Sequence, residues 1–364
     1  MSVYLFIFFF LISGFYNVNR YLYIKDSTFY KFFLFFIIIF VGFRYGLTDF
    51  FLYQNLYEII SMQNIDEFIK ESFKGDFLYN FTNWFFAKLN LGLVGKINLG
   101  LVGVNIFCSI MLILAVDNFG KSLSNTENKN KWLIWIICFQ TFLMFLAMGY
   151  VRQGFAIFFI CIAINKLIKT KIFASFLLII IAFFFHKSSI FFLILYFLFL
   201  KKKYFKYLII VFIPILFFIY IEREQFQRLV YFYLGHGQHM ISIGIIPRLS
   251  VSLIASIIFF LYKDSLCENI IEKKIYFLLS FIVFFIVPVS LVSSTFADRV
   301  LLYLFPVQIL VFSRLGYIQK NDYDKKLVNF SVILFYFSLL LFWFKFSNTA
   351  AAWYPYENYL FLTD

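Results

Sequence analysis

Two short polar stretches interrupt the long apolar runs of this chain. In GYVRQGFA, Arg152 and Gln153 lie between WLIWIICFQTFLMFLAM and IFFICIAIN; in FHKSS, His186 follows another apolar run. A charge near the centre of a bilayer costs about 2.5–3.5 kcal/mol on insertion scales, so we expect Arg152 to have a function. A guanidinium group binds phosphate or carboxylate through a rigid, two-pronged fork. An imidazole, with an ordinary pKa of about 6.5, transfers protons near neutral pH.

Three further stretches carry polar residues between apolar runs: FRYGLTDFFLY, a loop at about 222–248, and FADR. Their candidate residues are Arg44, Asp49, Tyr53, Arg248, Asp298 and Arg299. Asp49 and Tyr53 would share one face of a helix, because they are four residues apart. Each stretch also has a structural interpretation, since Arg44 with Asp49, or Asp298 with Arg299, could form interfacial ion pairs. His236 and His239 are typical of solvated loop residues.

The composition is that of a membrane protein. The 364 residues are 63% hydrophobic and only 14% charged, with a mean hydropathy of +0.88, whereas soluble domains are about 25% charged. We therefore predict an all-α, polytopic integral membrane protein. A single transmembrane domain would cover residues 1–364, with outer-face loops at about 46–96 and 222–248. The formal charge of +13 is assigned to cytoplasmic loops rather than to nucleic-acid binding.

Lysine-rich clusters predict the topology. They lie at about 20–31, 121–131, 166–171, 201–206, 263–274 and 320–326. If all are cytoplasmic, each neighbouring pair encloses an even number of crossings. The result is about twelve crossings with both termini outside, at approximately 3–17, 30–45, 97–116, 132–149, 153–166, 172–185, 188–200, 207–221, 249–262, 275–292, 300–313 and 327–344.

Two segments do not fit a single crossing of ordinary length. The 29 residues between Lys171 and Lys201 would form a helix of about 43 Å, too long for a core of about 30 Å, so a hairpin that turns at His186 is predicted. Residues 77–95 are interpreted as an interfacial amphipathic helix, with a further crossing as the alternative. The repeated LGLVG at 91–95 and 99–103 indicates close packing or a hinge.

The two basic residue types separate between the two sides of this topology. The lysine-rich side holds 18 Lys and two Arg, whereas the other holds six Lys and six Arg. Positive-inside bias explains the first set only. Arginines on the outer face indicate an anionic substrate reached from outside. No HExxH, P-loop or zinc-spaced cysteine pair is present, so no metal and no cofactor are expected.

A family resemblance is carried by FRYGLTDFFLY, GYVRQGFA, FHKSS, the RLS of IIPRLS, DRVLLYLFP and WYPYENYLF. These motifs, in this order, resemble Wzy-type polysaccharide polymerases of the EpsG-like branch. The resemblance implies a multi-pass enzyme of the bacterial cytoplasmic membrane, related in architecture to GT-C glycosyltransferases. Such enzymes polymerise undecaprenyl-diphosphate-linked oligosaccharide repeat units at the outer face, for O-antigen, capsule or exopolysaccharide. A chain-length regulator would be a further partner besides the lipid bilayer.

On this interpretation, the reaction is a metal-independent glycosyl transfer from a lipid diphosphate. The predicted catalytic residues are Arg152, which would bind the diphosphate, and His186 or Asp49 as the base. The predicted substrate-binding residues are Arg44, Tyr53, Gln153, Arg248 and Arg299. A flippase for the lipid-linked oligosaccharide is an alternative, although the charges gather on one face and no inverted repeat is visible. A membrane O-acyltransferase of surface glycans that uses His186 is the other.

Overall fold

A computed structural model describes most of the chain. The described residues are 1–18, 21, 24–47, 49–72, 75–89, 91–94, 97–123, 129–199, 242 and 244–361. The predicted crossing at 207–221 and most of the predicted loop at 222–248, including Arg223, Arg228, His236 and His239, lie outside these residues. The chain forms two compact units, one from Met1–Ile190 with Phe312–Asp364 and one from Phe191–Val311.

The first unit begins with a series of helices. They are α1 (Ser2–Phe15), α2 (Asp26–Gly42), α3 (Phe50–Met62), α4 (Ile65–Ser72), α5 (Phe77–Lys88) and α6 (Leu99–Leu123). The predicted outer-face segment at about 46–96 contains α3, α4 and α5, and α5 lies within 77–95, where an amphipathic helix was predicted. Between these helices lie the short strands β1 (Arg44–Tyr45), β2 (Leu93–Val94) and β3 (Ile97–Asn98), and β2 pairs antiparallel with β3.

The next helices along the chain form the centre of the first unit. Helix α7 (Lys129–Cys138) continues directly as a π-helix over Phe139–Gly149, and α8 (Val151–Ile168) and α9 (Ile172–Phe185) come next. The stretch Lys131–Gly149 is 89% buried, against 28% for the last long helix of the unit. The π-helix therefore lies in the core. Its carbonyls reach five residues ahead, as in the bond from the Tyr150 N–H to the Phe145 oxygen.

The remaining helices are mostly those of the second unit. A 3₁₀ helix covers Lys187–Phe199, and α10 (Ile245–Leu266), α11 (Ile270–Val292), α12 (Ser294–Leu304) and α13 (Pro306–Arg314) follow. A 3₁₀ turn (Leu315–Ile318), α14 (Asp322–Phe346), a second 3₁₀ turn (Asn348–Trp353) and β4 (Glu357–Asn358) end the described chain.

Six helices in the described part of the chain are long and apolar enough to cross a membrane. A seventh crossing results if α12 and the helical stretch after it, bent by 48°, form one broken span. Backbone polar groups in hydrocarbon must be satisfied internally, which a helix achieves. Apolar side chains also cover the outside, as in α2, where Phe32 and Phe35 are exposed while Phe33 and Ile37 are buried. The all-α membrane architecture is confirmed; twelve crossings and a GT-C relationship stay predictions.

The apolar run from 172 to 199 breaks at His186, whereas the hairpin predicted around this residue stays a prediction. Helix α9 ends at Phe185, His186 is extended, and the 3₁₀ helix begins at Lys187. Helix α9 has 14 residues, or about 21 Å, which is shorter than a bilayer core of about 30 Å. Its end at His186 is therefore consistent with a recessed position.

The second LGLVG copy is a close-packing feature, as the sequence suggests. A Cβ on Gly100 would lie 1.8 Å from the Tyr57 hydroxyl, and one on Gly103 would lie 2.4 Å from the Phe86 ring. Only glycine lets α6 approach α3 and α5 this closely. These contacts fix α5, whose first residues belong to the site described below.

The C-terminal segment after α14 packs back onto the start of the chain. Strand β4 pairs antiparallel with β1, with Asn358 opposite Arg44. The Tyr356 hydroxyl donates to the Phe40 carbonyl at 2.6 Å and accepts from the Asn358 amide at 2.8 Å. The Tyr356 ring stacks on Phe40 with centroids 4.4 Å apart. We call residues 353–359 the C-terminal strap, and it holds β1 in place.

Tyr356→Phe is expected to destabilise the protein by about 1–3 kcal/mol, because the Phe40 carbonyl and the Asn358 amide lose a shared partner while the ring packing stays. The measurement is thermal unfolding of the purified protein in detergent. Tyr354→Phe is the matched control, because Tyr354 is largely exposed on the same strap. Equal melting temperatures for the two variants would contradict the assigned contacts.

Candidate functional site

A buried carboxylate, Asp76, lies where three segments of the first unit meet. It occupies the position before the first turn of α5, which usually accepts a backbone N–H of that turn. The Asp76 side chain makes no such bond. Its Oδ2 instead lies 3.3 Å from Arg152 Nη1 and 3.3 Å from His186 Nδ1, with the side chain only 9% exposed. The carboxylate therefore interacts with the side chains of Arg152 and His186 and does not cap its own helix.

Arg152 reaches this carboxylate from the first turn of α8. Its guanidinium carbon lies over the Tyr53 ring, 6.0 Å from the ring centroid. The side chain nevertheless remains 46% exposed. The guanidinium group thus contacts Asp76 and the Tyr53 ring but keeps exposed N–H groups, which can bind a further anion.

Gly154 explains why α8 can begin at this place. A Cβ on Gly154 would lie 2.6 Å from the Leu146 carbonyl oxygen and 3.0 Å from its carbon. Both are backbone atoms of the π-helix, which cannot move as a flexible side chain does. The glycine of the RQG stretch therefore sets the distance between α8 and the π-helix, and with it the position of Arg152.

His186 reaches the carboxylate from the break after α9. Its backbone N–H donates to the Ala182 carbonyl at 2.9 Å, and its carbonyl accepts from the Ser189 N–H at 3.0 Å. These bonds hold the backbone on both sides of the ring. The side chain is 31% exposed, so Nδ1 points at Asp76 while the rest of the ring has access to the surroundings.

The surroundings keep the Asp76 carboxyl ionised. Burial alone would raise its pKa, but His186, Arg152 and a backbone hydrogen bond from Lys187 together hold the pKa below its ordinary value. An opposite charge nearby and bonds to the charged form both favour the carboxylate. Asp76 is therefore an acceptor at neutral pH.

Tyrosines close the inner side of the site. Tyr53 on α3 is buried, and its ring lies 5.7 Å from that of Tyr79 on α5. Asp49 precedes α3, and the Tyr53 N–H donates to its carbonyl at 3.1 Å, so the two residues lie one helical turn apart. In the part of the chain that the structure describes, Asp49 forms no ion pair with Arg152 or His186. Gln153 is buried next to Arg152 in α8.

Arg44 is held inside the protein. It is 1% exposed, Nη2 donates to Asn105 Oδ1 at 3.2 Å, and Nη1 donates to the Ala147 carbonyl. The considered ion pair with Asp49 does not form. Ala147 belongs to the end of the π-helix that leads into Arg152, so Arg44 connects the strand β1 to the backbone of the site.

The second unit contains a comparable pair. Arg248 Nη1 in the first turn of α10 lies 2.6 Å from both Asp298 oxygens, and the Ser242 hydroxyl donates to Asp298 at 3.0 Å. Asp298 is buried. The ion pair that the sequence suggested between Asp298 and Arg299 is replaced by one with Arg248. Arg299 lies on α12 in the same unit.

Asp76 is the residue that the sequence analysis missed. The stretch KGDFLYNF carries one signal, an acidic residue immediately before the apolar-rich helix that is now seen as α5. That signal normally indicates a helix cap, so it gives no reason to expect a contact with residues 76 and 110 positions away. Among the described residues, no group of three or more His, Cys, Asp or Glu could hold a metal ion.

The fold and the site together define a multi-pass helical membrane protein with an open arginine and a histidine on one buried carboxylate. The model of the EpsG family matches residues 27–358, so the chain belongs to the EpsG family. This family is associated with glycosyl polymerase activity, and the protein is polysaccharide polymerase-like. Searches of the curated proteins and of the solved structures gave no match.

Proposed function

We propose that this protein polymerises lipid-diphosphate-linked oligosaccharide repeat units by glycosyl transfer at the outer face of the bacterial cytoplasmic membrane. The carrier would be an undecaprenyl diphosphate. The growing chain leaves its carrier and joins the non-reducing end of a new unit. The observation that carries the proposal is the half-exposed Arg152 guanidinium beside His186, in a chain of the EpsG family.

Bond changes in this reaction are simple. An acceptor hydroxyl oxygen attacks the anomeric carbon of the growing chain, and the bond from that carbon to the diphosphate oxygen breaks. The lipid diphosphate leaves with the electron pair. The hydroxyl proton passes to a base, and no oxidant or reductant is needed.

Arg152 would stabilise the leaving diphosphate. Its open side can place two parallel N–H groups against phosphate oxygens, and fixed donors aimed at developing charge lower the barrier without reorganisation. Asp76 pairs with the guanidinium group, and the Tyr53 ring lies beside it. Arg248 and Arg299 of the second unit remain proposed substrate-binding residues.

His186 is the base that we favour over Asp49. Its ring is partly exposed and shares the Asp76 carboxylate with Arg152, so base and diphosphate-binding group are neighbours. Asp49 lacks that link in the described part of the chain. Tyr53 lies beside Arg152, and Gln153 remains a proposed substrate-binding residue. Arg44 acts by positioning, because its guanidinium is buried.

Deletion of the gene that encodes this chain tests the proposed polymerase against the two alternatives, a flippase and an O-acyltransferase. A polymerase deletion is expected to leave single repeat units on the surface and no ladder on a sizing gel. Complete loss of surface glycan would support a flippase, and full-length glycan without acyl groups would support an O-acyltransferase. Complementation with the wild-type chain is the control, and purified protein should lengthen the lipid-linked unit extracted from the deletion strain.

A further inference from the structure

We infer that Asp76 is a positioning residue, which fixes His186 with its Nε2 free to act as the base and at the same time holds Arg152 in place. This inference rests on the proposed function for its consequence in catalysis. The arrangement itself is a property of the folded chain and is testable without a substrate.

The geometry assigns the direction of the hydrogen bond. An ionised carboxylate can only accept, so the contact between Asp76 Oδ2 and His186 Nδ1 at 3.3 Å requires a proton on Nδ1. In a neutral imidazole the other nitrogen, Nε2, then carries the lone pair. The His186 side chain is 31% exposed, so its ring is not sealed inside the protein as the Asp76 carboxylate is. Catalytic bonds of this kind are commonly long before substrate binds.

The contacts of Asp76 fit a positioning role. Three groups meet at the Asp76 carboxylate: the His186 ring, Arg152 on α8 and the backbone of Lys187. Asp76 does not cap its own helix. A purely structural aspartate at this position would be expected to do so.

One carboxylate oxygen of Asp76 therefore contacts both the proposed base, His186, and the proposed diphosphate-binding group, Arg152. His186 Nδ1 and Arg152 Nη1 both lie 3.3 Å from the same atom, so Asp76 adds a shared contact to side chains carried by α8 and by the end of α9, which pack on each other. Loss of the carboxylate charge is expected to affect the orientation of both side chains. The effect of Asp76 on His186 can be measured separately from its effect on Arg152, because only the former changes which ring nitrogen carries the proton.

The first test reads the tautomer directly. The chain has three histidines, so protein labelled with ¹⁵N only at histidine gives few ring signals, and His186→Gln identifies that of His186. In wild-type protein in bilayers, at a pH where the ring is neutral, Nδ1 is expected to carry the proton. In Asp76→Asn the amide can donate to Nδ1, and a larger share of the ring should protonate at Nε2. An identical tautomer population in the two proteins overturns the inference.

The second test is a double-mutant cycle on chain extension of the extracted lipid-linked unit. Asp76→Asn is expected to lower kcat by about 10²–10⁴-fold, the range of general-base catalysis. In the His186→Gln background, Asp76→Asn should cost clearly less than it costs in the wild-type protein, because only the part that acts through Arg152 remains. Asp66→Asn, at an exposed position on α4, is the control and should keep wild-type kcat.

Two outcomes of the cycle separate this inference from the proposed function. Fully additive losses mean that Asp76 acts independently of His186, which overturns the inference while the polymerase activity stands. If the wild-type protein extends no lipid-linked unit, the proposed function fails, and the tautomer measurement still decides the arrangement. Thermal unfolding of each variant confirms that the folded protein is compared.

Discussion

Arg152→Lys is expected to slow chain transfer by about ten- to a hundredfold. Lysine keeps the positive charge but loses the fork that places two parallel hydrogen bonds on a diphosphate. Each charge-assisted bond contributes about 1.5–3 kcal/mol, and the loss of one corresponds to that range of rates. Arg152→Ala should be worse still, with single repeat units on the cell surface and normal protein levels in the membrane.

The measurement is turnover of purified variants on the lipid-linked unit, together with polymer length in cells. Lys70→Ala is the matched control, because Lys70 is an exposed positive charge on α4 and should leave the ladder unchanged. If Arg152 is only an anchor at the membrane interface, lysine would serve equally well. Full-length polymer from the lysine variant at native expression would contradict the diphosphate role.

Gly154→Ala is also expected to slow chain transfer strongly, although it adds only one methyl group. That group would meet the Leu146 carbonyl at 2.6 Å, and overpacking of this kind costs about 1–3 kcal/mol. The strain is relieved when α8 moves away from the π-helix. Arg152 lies two residues before Gly154 in α8, so it is displaced together with the helix. A shift of about 1 Å in a catalytic group can cost about a hundredfold in rate.

Gly120→Ala provides the comparison for this glycine. Gly120 is also helical, but its added methyl group would meet only the flexible Lys131 side chain at 3.4 Å. Alanine there should be neutral or stabilising by about 0.5–1 kcal/mol. Melting temperature and turnover are measured for both variants. Wild-type values for Gly154→Ala would refute the assigned contact between α8 and the π-helix.

The membrane class and several helix ends could be predicted from sequence because they depend on local patterns. Apolar runs predict helices, and the polar tips at 149–153 and 186–187 predict where the runs break; the structure breaks at Tyr150 and His186. The number of crossings depends on where the bilayer lies, which no local pattern determines. Helices α1 and α9 have 14 residues each, so length alone does not make them crossings.

The ion pairs show why the rest of the site could not be predicted. Asp298 and Arg299 are adjacent in the chain, but adjacent residues on a helix point about 100° apart and do not face each other. Asp298 pairs with Arg248, 50 residues earlier. Asp76 likewise meets Arg152 and His186 only through the packing of α5 against α6 and α9, which glycines at 100 and 103 make close.

The π-helix has a consequence for how the sequence can vary in length. Its eleven residues, Phe139–Gly149, wind more loosely than an α-helix. Removing one residue would allow the segment to return to α-helical winding, but every later side chain would turn by about 100°. Arg152 would then point away from Asp76, and the Ala147 carbonyl would leave Arg44. Insertions and deletions should therefore be excluded between Trp132 and Gly154 in functional relatives, even where the identity of the apolar residues changes freely.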